Sequence, residues 1–156
     1  MDSFTEQFFT TLSQYKVEGI KVSWPSTCFT ELKMSISGIQ AGKSMNFILP
    51  CNPKYQDSLG FISPGYLYMA LTEAFYCFAY SLAKKPCIPI HTEFSLINPV
   101  PANSSALTVE TYIGAKSRKM LFLNAKVFDY REKVHAIASA MVTPYTLPTS
   151  SELEKM

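Results

Sequence analysis

Between Tyr66 and Ala83 nearly every position is apolar or aromatic, and the run carries one charge, Glu73. A segment that is hydrophobic all round belongs inside a protein, wrapped by other elements. The run predicts a helix, with Pro64 suited to its first turn. Lys84, Lys85 and Pro86 mark its end. Upstream, Phe4, Phe8, Leu12 and Tyr15 recur every three or four residues, which predicts an amphipathic helix over 3–16. Ser3 stands as its cap, with Glu6 three residues later as in a capping box. Trp24-Pro25-Ser26 reads as a break that admits nothing further helical before the first strand. From 32 to 39, Leu32, Met34 and Ile36 alternate with Lys33, Ser35 and Ser37, a period of two that predicts a strand. A turn at QAGKS joins it to a second strand, MNFILP, as a short hairpin.

After Pro86 the period becomes two. Strands are predicted over 90–97, 105–114, 120–129 and 134–143, separated by Asn98–Pro101, KSRK and YREK, and are read as a four-strand meander. The fold class is α+β. Six strands form one antiparallel sheet, and the long helix is the obvious cover for its apolar face. The expected organisation is one domain over 1–144 and a polar tail over 145–156.

The chain has 156 residues, enough for one domain with a real core. Its net charge of +2, without a basic block, argues against a nucleic-acid partner. Four cysteines (Cys28, Cys51, Cys77, Cys87) show no C-x-x-C spacing, so a zinc site is not expected. The N-terminus lacks the basic stretch of a signal peptide, which leaves a cytoplasmic protein with reduced thiols as the expectation. The run at 66–83 is long enough to be weighed as a membrane span. Glu73 at its centre and tyrosines along its whole length argue against that. No phosphate loop and no nucleophile elbow are present.

The element order resembles the hotdog fold, a curved antiparallel sheet wrapped around one long central helix, over roughly residues 30–143. The resemblance extends to hotdog acyl-CoA thioesterases of the phenylacetate-pathway type. These carry a pattern like N-x-x-G-x-x-H-G-G before the helix and an Asp or Glu one to two turns into it. Here the stretch is Asp57-Ser58-Leu59-Gly60-Phe61-Ile62-Ser63-Pro64-Gly65. Gly60 and Gly65 fall on family glycines. Asp57 replaces the Asn, Ser63 the His, and Pro64 the first glycine of the pair. Ungapped counting puts Thr72 at the acidic position and Glu73 one residue later, a rotation of about 100° around the helix. Pro99 falls on a family proline, and Arg118-Lys119 on a hairpin that often carries a basic residue. Hydroxyacyl-carrier-protein dehydratases of the same fold also have a Pro-Gly before the helix, but their upstream His has no counterpart here.

The resemblance implies hydrolysis of an acyl-CoA or acyl-carrier-protein thioester by water, with no metal and no cofactor beyond the CoA of the substrate. Glu73 would act as general base or nucleophile, unless it is a buried carboxylate bonded to a tyrosine or an exposed one at the sheet's margin. Asp57 would position water, or serve as a turn residue. Thr72 would orient water. Ser63 would act through its hydroxyl, or only cap the helix. The N–H groups of Gly65 and Tyr66 would hold the thioester oxygen, unless Gly65 is a plain turn glycine. Lys116, Arg118 and Lys119 would meet CoA phosphates, or form a solvated turn. The aromatic residues of the helix are core, an acyl tunnel, or both. His91 is expected to be structural and His135 to lie at the surface. The family's sheets join edge to edge, which implies a homodimer or a dimer of dimers. The alternatives are a non-catalytic acyl-thioester-binding protein, a dehydratase-like enzyme, and a dimerisation module without a ligand.

Overall fold

The computed structural model describes residues 1–145, so all of the expected tail but Tyr145 lies outside the described residues. Helix α1 runs Ser3–Leu12, α2 Thr27–Glu31 and α3 Pro64–Ala83. The strands are β1 Ser35–Gln40, β2 Ser44–Pro50, β3 Cys87–Leu96, β4 Ala106–Lys116, β5 Leu121–Phe128 and β6 Val134–Pro144. They form one antiparallel sheet in the order β1-β2-β4-β5-β6-β3. The α+β expectation, a six-stranded sheet around one long helix, holds.

The four-strand meander does not. β4, β5 and β6 are consecutive neighbours, but β3 crosses the sheet to pair with β6. It meets α3 through a short link, then hands the chain across to β4 on the far side. The two edges are therefore β1 and β3. β1 has six residues and an irregularity between Ile36 and Gly38. β3 has ten, with an irregularity between Pro89 and His91 and with Ile90 half exposed.

The core is what the apolar periodicity requires. Leu107 and Val109 of β4, Leu121, Leu123 and Val127 of β5, and Ala136, Ala140 and Val142 of β6 face the buried side of α3. The small residues of β6 let the helix approach closely. Leu67, Leu71, Phe75 and Phe78 of α3 are buried in the same core. The strip Gly65, Tyr68, Thr72 and Tyr76 is left partly or fully exposed. No helix among the described residues is long and apolar enough to cross a membrane.

Four local expectations change. Asp2, not Ser3, caps α1: its carboxylate accepts from the Thr5 N–H at 2.9 Å. The helix ends at Leu12 rather than near 16. The Trp-Pro-Ser break is followed by a helix after all, because the Ser26 hydroxyl accepts from the Phe29 N–H at 2.9 Å and caps α2. Leu32 then closes α2 and Lys33 takes a left-handed φ of 53°, so the strand starts at Ser35. The alternation still read burial correctly, since Leu32, Met34 and Ile36 are all buried.

Candidate active site

Glu73 lies in the middle of α3 and is 8 % exposed. Its Oε2 accepts a hydrogen bond of 2.5 Å from the Ser26 hydroxyl. Glu73 is thus not exposed at the sheet's margin, and its partner is this serine, 47 residues upstream, where one of the alternatives had a tyrosine. The N-terminal segment reaches Glu73 because it packs along one stripe of α3. The Trp24 ring meets Tyr80 edge-on at 5.2 Å, and the Tyr80 hydroxyl donates to the Tyr15 carbonyl at 2.6 Å. Cys28 lies beside the same carboxylate: burial, and then the charge of Glu73, push its thiol up to about 11. Burial, and then the same charge, raise Tyr76 and Cys77 as well.

The second oxygen of Glu73 differs from the first. Oε1 takes no hydrogen bond from an N–H or O–H group among the described residues; the carboxylate's other close neighbour is the weakly donating Cys28 thiol. The carboxylate therefore has one oxygen fixed by Ser26 and one without a strong donor.

Thr72 is on the exposed strip of α3 and donates its hydroxyl to the Tyr68 carbonyl at 2.9 Å, a common use of a mid-helix threonine. The one-residue offset thus separates the two candidates: Thr72 faces outward and Glu73 faces Ser26. Asp57 closes the loop before α3, with Oδ1 accepting from the Leu59 N–H at 2.8 Å and the Phe61 N–H at 3.0 Å. Gly60, inside that turn, has φ +83°, where a side chain is strained. Ser63 is the N-cap of α3. Its Oγ accepts from the Gly65 N–H at 3.3 Å, and its carbonyl accepts from the Tyr66 N–H at 3.0 Å.

Gly65 is different from Gly60. A Cβ there would meet only the Ser63 Oγ, at 3.6 Å, an ordinary contact. Neither backbone nor packing demands glycine, which costs about 1 kcal/mol relative to alanine inside a helix. Its effect is to leave the backbone bare at the surface. Tyr66 points its side chain inward instead: the hydroxyl donates to the Pro50 carbonyl at 2.8 Å, and burial above all pushes the phenol up to about 12.

Gly65 and Glu73 are eight residues apart, about 12 Å along the helix axis and on different faces. One chain does not bring them together. Arg118 and Lys119 lie farther still, at the C-terminal end of α3. With Lys85 and Lys116 they surround a cavity of ≈ 170 Å³ whose other walls include Leu82, Ala83 and Pro144. No acidic side chain lines it.

His91 is exposed, with Nε2 3.4 Å from Glu93 Oε1. His135 is not at the surface, as expected, but 3 % exposed. Its Nδ1 lies 3.1 Å from the Asn98 carbonyl and its Nε2 3.3 Å from Asp129 Oδ2. It joins the β5–β6 turn to the loop after β3 and stands apart from Glu73.

Sequence reasoning missed Ser26, Cys28 and Lys85. A serine directly after a proline is a recognisable cap signal. Nothing local links it to Glu73.

No family model matches the sequence, and no curated protein matches it. Solved structures do. The Escherichia coli PaaI protein, from the phenylacetic acid degradation operon, is similar with a TM-score of 0.75 and 12% identity, over 92% of this chain and 97% of that one. A substituted form of a thioesterase enzyme from Staphylococcus aureus gives 0.71 and 14%, over 78% and 100%. A substituted form of the phenylacetic acid degradation protein PaaI from Thermus thermophilus gives 0.70 and 15%, over 77% and 100%. At these identities the likeness is one of fold.

Proposed function

Starting from a chain that has the hotdog fold, we propose that it hydrolyses an acyl thioester, with CoA or a carrier protein as the leaving thiol. The observation that carries this is the Glu73 carboxylate, buried at mid-helix with Oε2 held by Ser26 and Oε1 without an N–H or O–H donor. A base with one oxygen anchored and the other without a strong donor is suited to draw a proton from water. The water oxygen bonds to the thioester carbon as Oε1 takes its proton. The carbon–sulfur bond then breaks and the sulfur leaves as a thiol, its proton returned through Glu73. The products are a carboxylic acid and the free thiol. No metal or cofactor enters this scheme.

The bare backbone at Gly65 suits close approach of the thioester carbonyl. Because Gly65 and Glu73 of one chain stand about 12 Å apart, the reaction centre is completed in a homodimer, Gly65 of one copy serving Glu73 of the other. The long β3 edge is the pairing surface. Lys85, Lys116, Arg118 and Lys119 form a cation cluster for the phosphates of the carrier thiol. Asp57 and Ser63 hold the loop and the helix start, and Thr72 lies on the strip turned toward the second copy.

A second reading, binding of an acyl thioester without turnover, has its own support: the N–H groups of Gly65 and Tyr66 are both engaged by Ser63. Assaying the purified protein on short, long and aromatic acyl-CoAs for thiol release, beside Glu73→Gln, separates the two. Turnover that falls at least about a hundredfold in the variant, with the fold intact, supports hydrolysis. Tight acyl-CoA binding with no thiol release by the wild type supports the second reading.

A further inference from the structure

We infer that Ser26 is a positioning residue for Glu73, and that the short helix α2 exists in this chain to hold its hydroxyl in place. This rests on Glu73 acting as the base.

The argument begins with the one proton that a serine hydroxyl owns. The Phe29 N–H donates to Ser26 Oγ at 2.9 Å, so the oxygen's acceptor side is directed into the α2 cap. The hydroxyl proton goes to Glu73 Oε2 at 2.5 Å. Both functions are used at once, and the hydroxyl has no spare rotor position. The backbone supports the same geometry: the Thr30 N–H donates to the Ser26 carbonyl at 3.2 Å, and the Leu32 N–H to the Cys28 carbonyl at 3.0 Å. The buried Phe29 ring anchors the helix, packing edge-on against Phe9 at 4.9 Å and against Phe47 of β2 at 6.3 Å. The hydroxyl is thus set by a folded unit rather than by a flexible loop.

The carboxylate needs this. A glutamate has three side-chain torsions, and no cation pairs with Glu73 among the described residues. Its other close neighbours orient it less well. The Cys28 thiol touches the carboxylate but is only a weak donor, and the Tyr76 hydroxyl is linked to it through charge alone. Ser26 is the group that selects one rotamer and leaves Oε1, not Oε2, without a strong donor. Serine, and threonine with the same hydroxyl, can cap and donate together. Alanine can do neither. Cysteine is a weak donor with a longer reach.

The test is steady-state kinetics on acetyl-, hexanoyl-, palmitoyl- and phenylacetyl-CoA with wild type, Ser26→Ala, Ser26→Thr and Glu73→Gln. Folding is checked by thermal melting and by the dimer's elution volume. For the best substrate, Ser26→Ala is expected to lower kcat about tenfold or more with KM unchanged, since a misplaced base loses rate and not binding. Ser26→Thr is expected to restore kcat to within about threefold of wild type. A purely structural serine would instead lower the melting temperature and leave kcat of the folded fraction unchanged. That outcome, with Glu73→Gln inactive, overturns the inference while hydrolysis stands. An active Glu73→Gln removes the base itself and overturns both, as does a wild type that releases no thiol. If Ser26→Ala fails to fold, Ser26→Thr and Ser26→Cys decide: kcat retained in the Thr variant and lost in the Cys variant supports positioning, and equal kcat in both overturns it.

Discussion

Replacing His135 by leucine tests the buried tie between the end of the sheet and the loop after β3. Two partners lose their bond. The Asn98 carbonyl gives up its contact with Nδ1 and Asp129 gives up Nε2. Asp129 keeps the Arg131 N–H at 2.8 Å and the Lys133 N–H at 3.0 Å, so it is not orphaned. Losing a hydrogen bond to the part-buried Asn98 carbonyl costs about 0.5–1.5 kcal/mol. The Asp129 carboxyl turns to water and adds little. A net loss of about 1 kcal/mol is expected. The loop itself stays docked, because the Ile97 and Asn98 N–H groups still donate to the backbone carbonyl of residue 135 at 2.8 and 3.1 Å. For a domain of this size each kcal/mol shifts the melting temperature by about 2–4 °C, so the variant is expected to melt about 2–4 °C lower. Circular dichroism at rising temperature reads this directly, with urea unfolding as a second measure whose slope stays constant. A fall of less than about 1 °C would refute the reasoning and make the two contacts bystanders.

Other outcomes follow from single contacts. Phe78→Ala removes a fully buried ring in the C-terminal half of α3 and is expected to destabilise by about 3–5 kcal/mol in chemical unfolding. Glu132 is exposed with a left-handed φ of 62°, so Glu132→Gly is expected to raise stability by about 0.5–1 kcal/mol, seen as a small rise in melting temperature. The Cys28 thiol, pushed up to about 11 by burial and then by Glu73, is expected to react with iodoacetamide at pH 8 about a hundredfold more slowly than an exposed cysteine. Glu73→Gln is expected to speed that reaction, because the charge that opposes the thiolate is gone. The Thr5 backbone bond, first, holds the Asp2 carboxyl below its ordinary value of 3.8. The cap on α1 is therefore intact above that value and lost as pH falls through the lowered one, which amide exchange at Thr5 would follow.

The long helix was legible because its signals are local: an unbroken apolar run, a proline at its first turn and another past its end. The strands were legible by alternation, even where Leu32 and Met34 proved to lie just outside one. What could not be read is where β3 goes. Its periodicity says that it is a strand, while its neighbour is chosen by the reach of the link from α3 and by the face that β6 offers. The site divided in the same way. Glu73 stood out as a lone charge in an apolar run, but its partner is set by the packing of Trp24 and Phe29 around α3. His135 looked like a surface residue because a polar side chain near a turn usually is one. Its burial depends on two acceptors contributed by the β5–β6 turn and by the loop after β3.

The unequal edges of the sheet set a limit on assembly. A flat, open strand is a valence: it binds another strand until every such strand is used. β3 offers ten residues, with an irregularity between Pro89 and His91, whereas β1 offers six, with one between Ile36 and Gly38. In the pair proposed above, each copy would consume the other's longer edge in a self-complementary, two-fold contact. The outer ends of the joined sheet would then both be β1, and a short edge resists further addition. Growth would terminate at two, and the asymmetry that favours a pair would keep it from becoming a fibre.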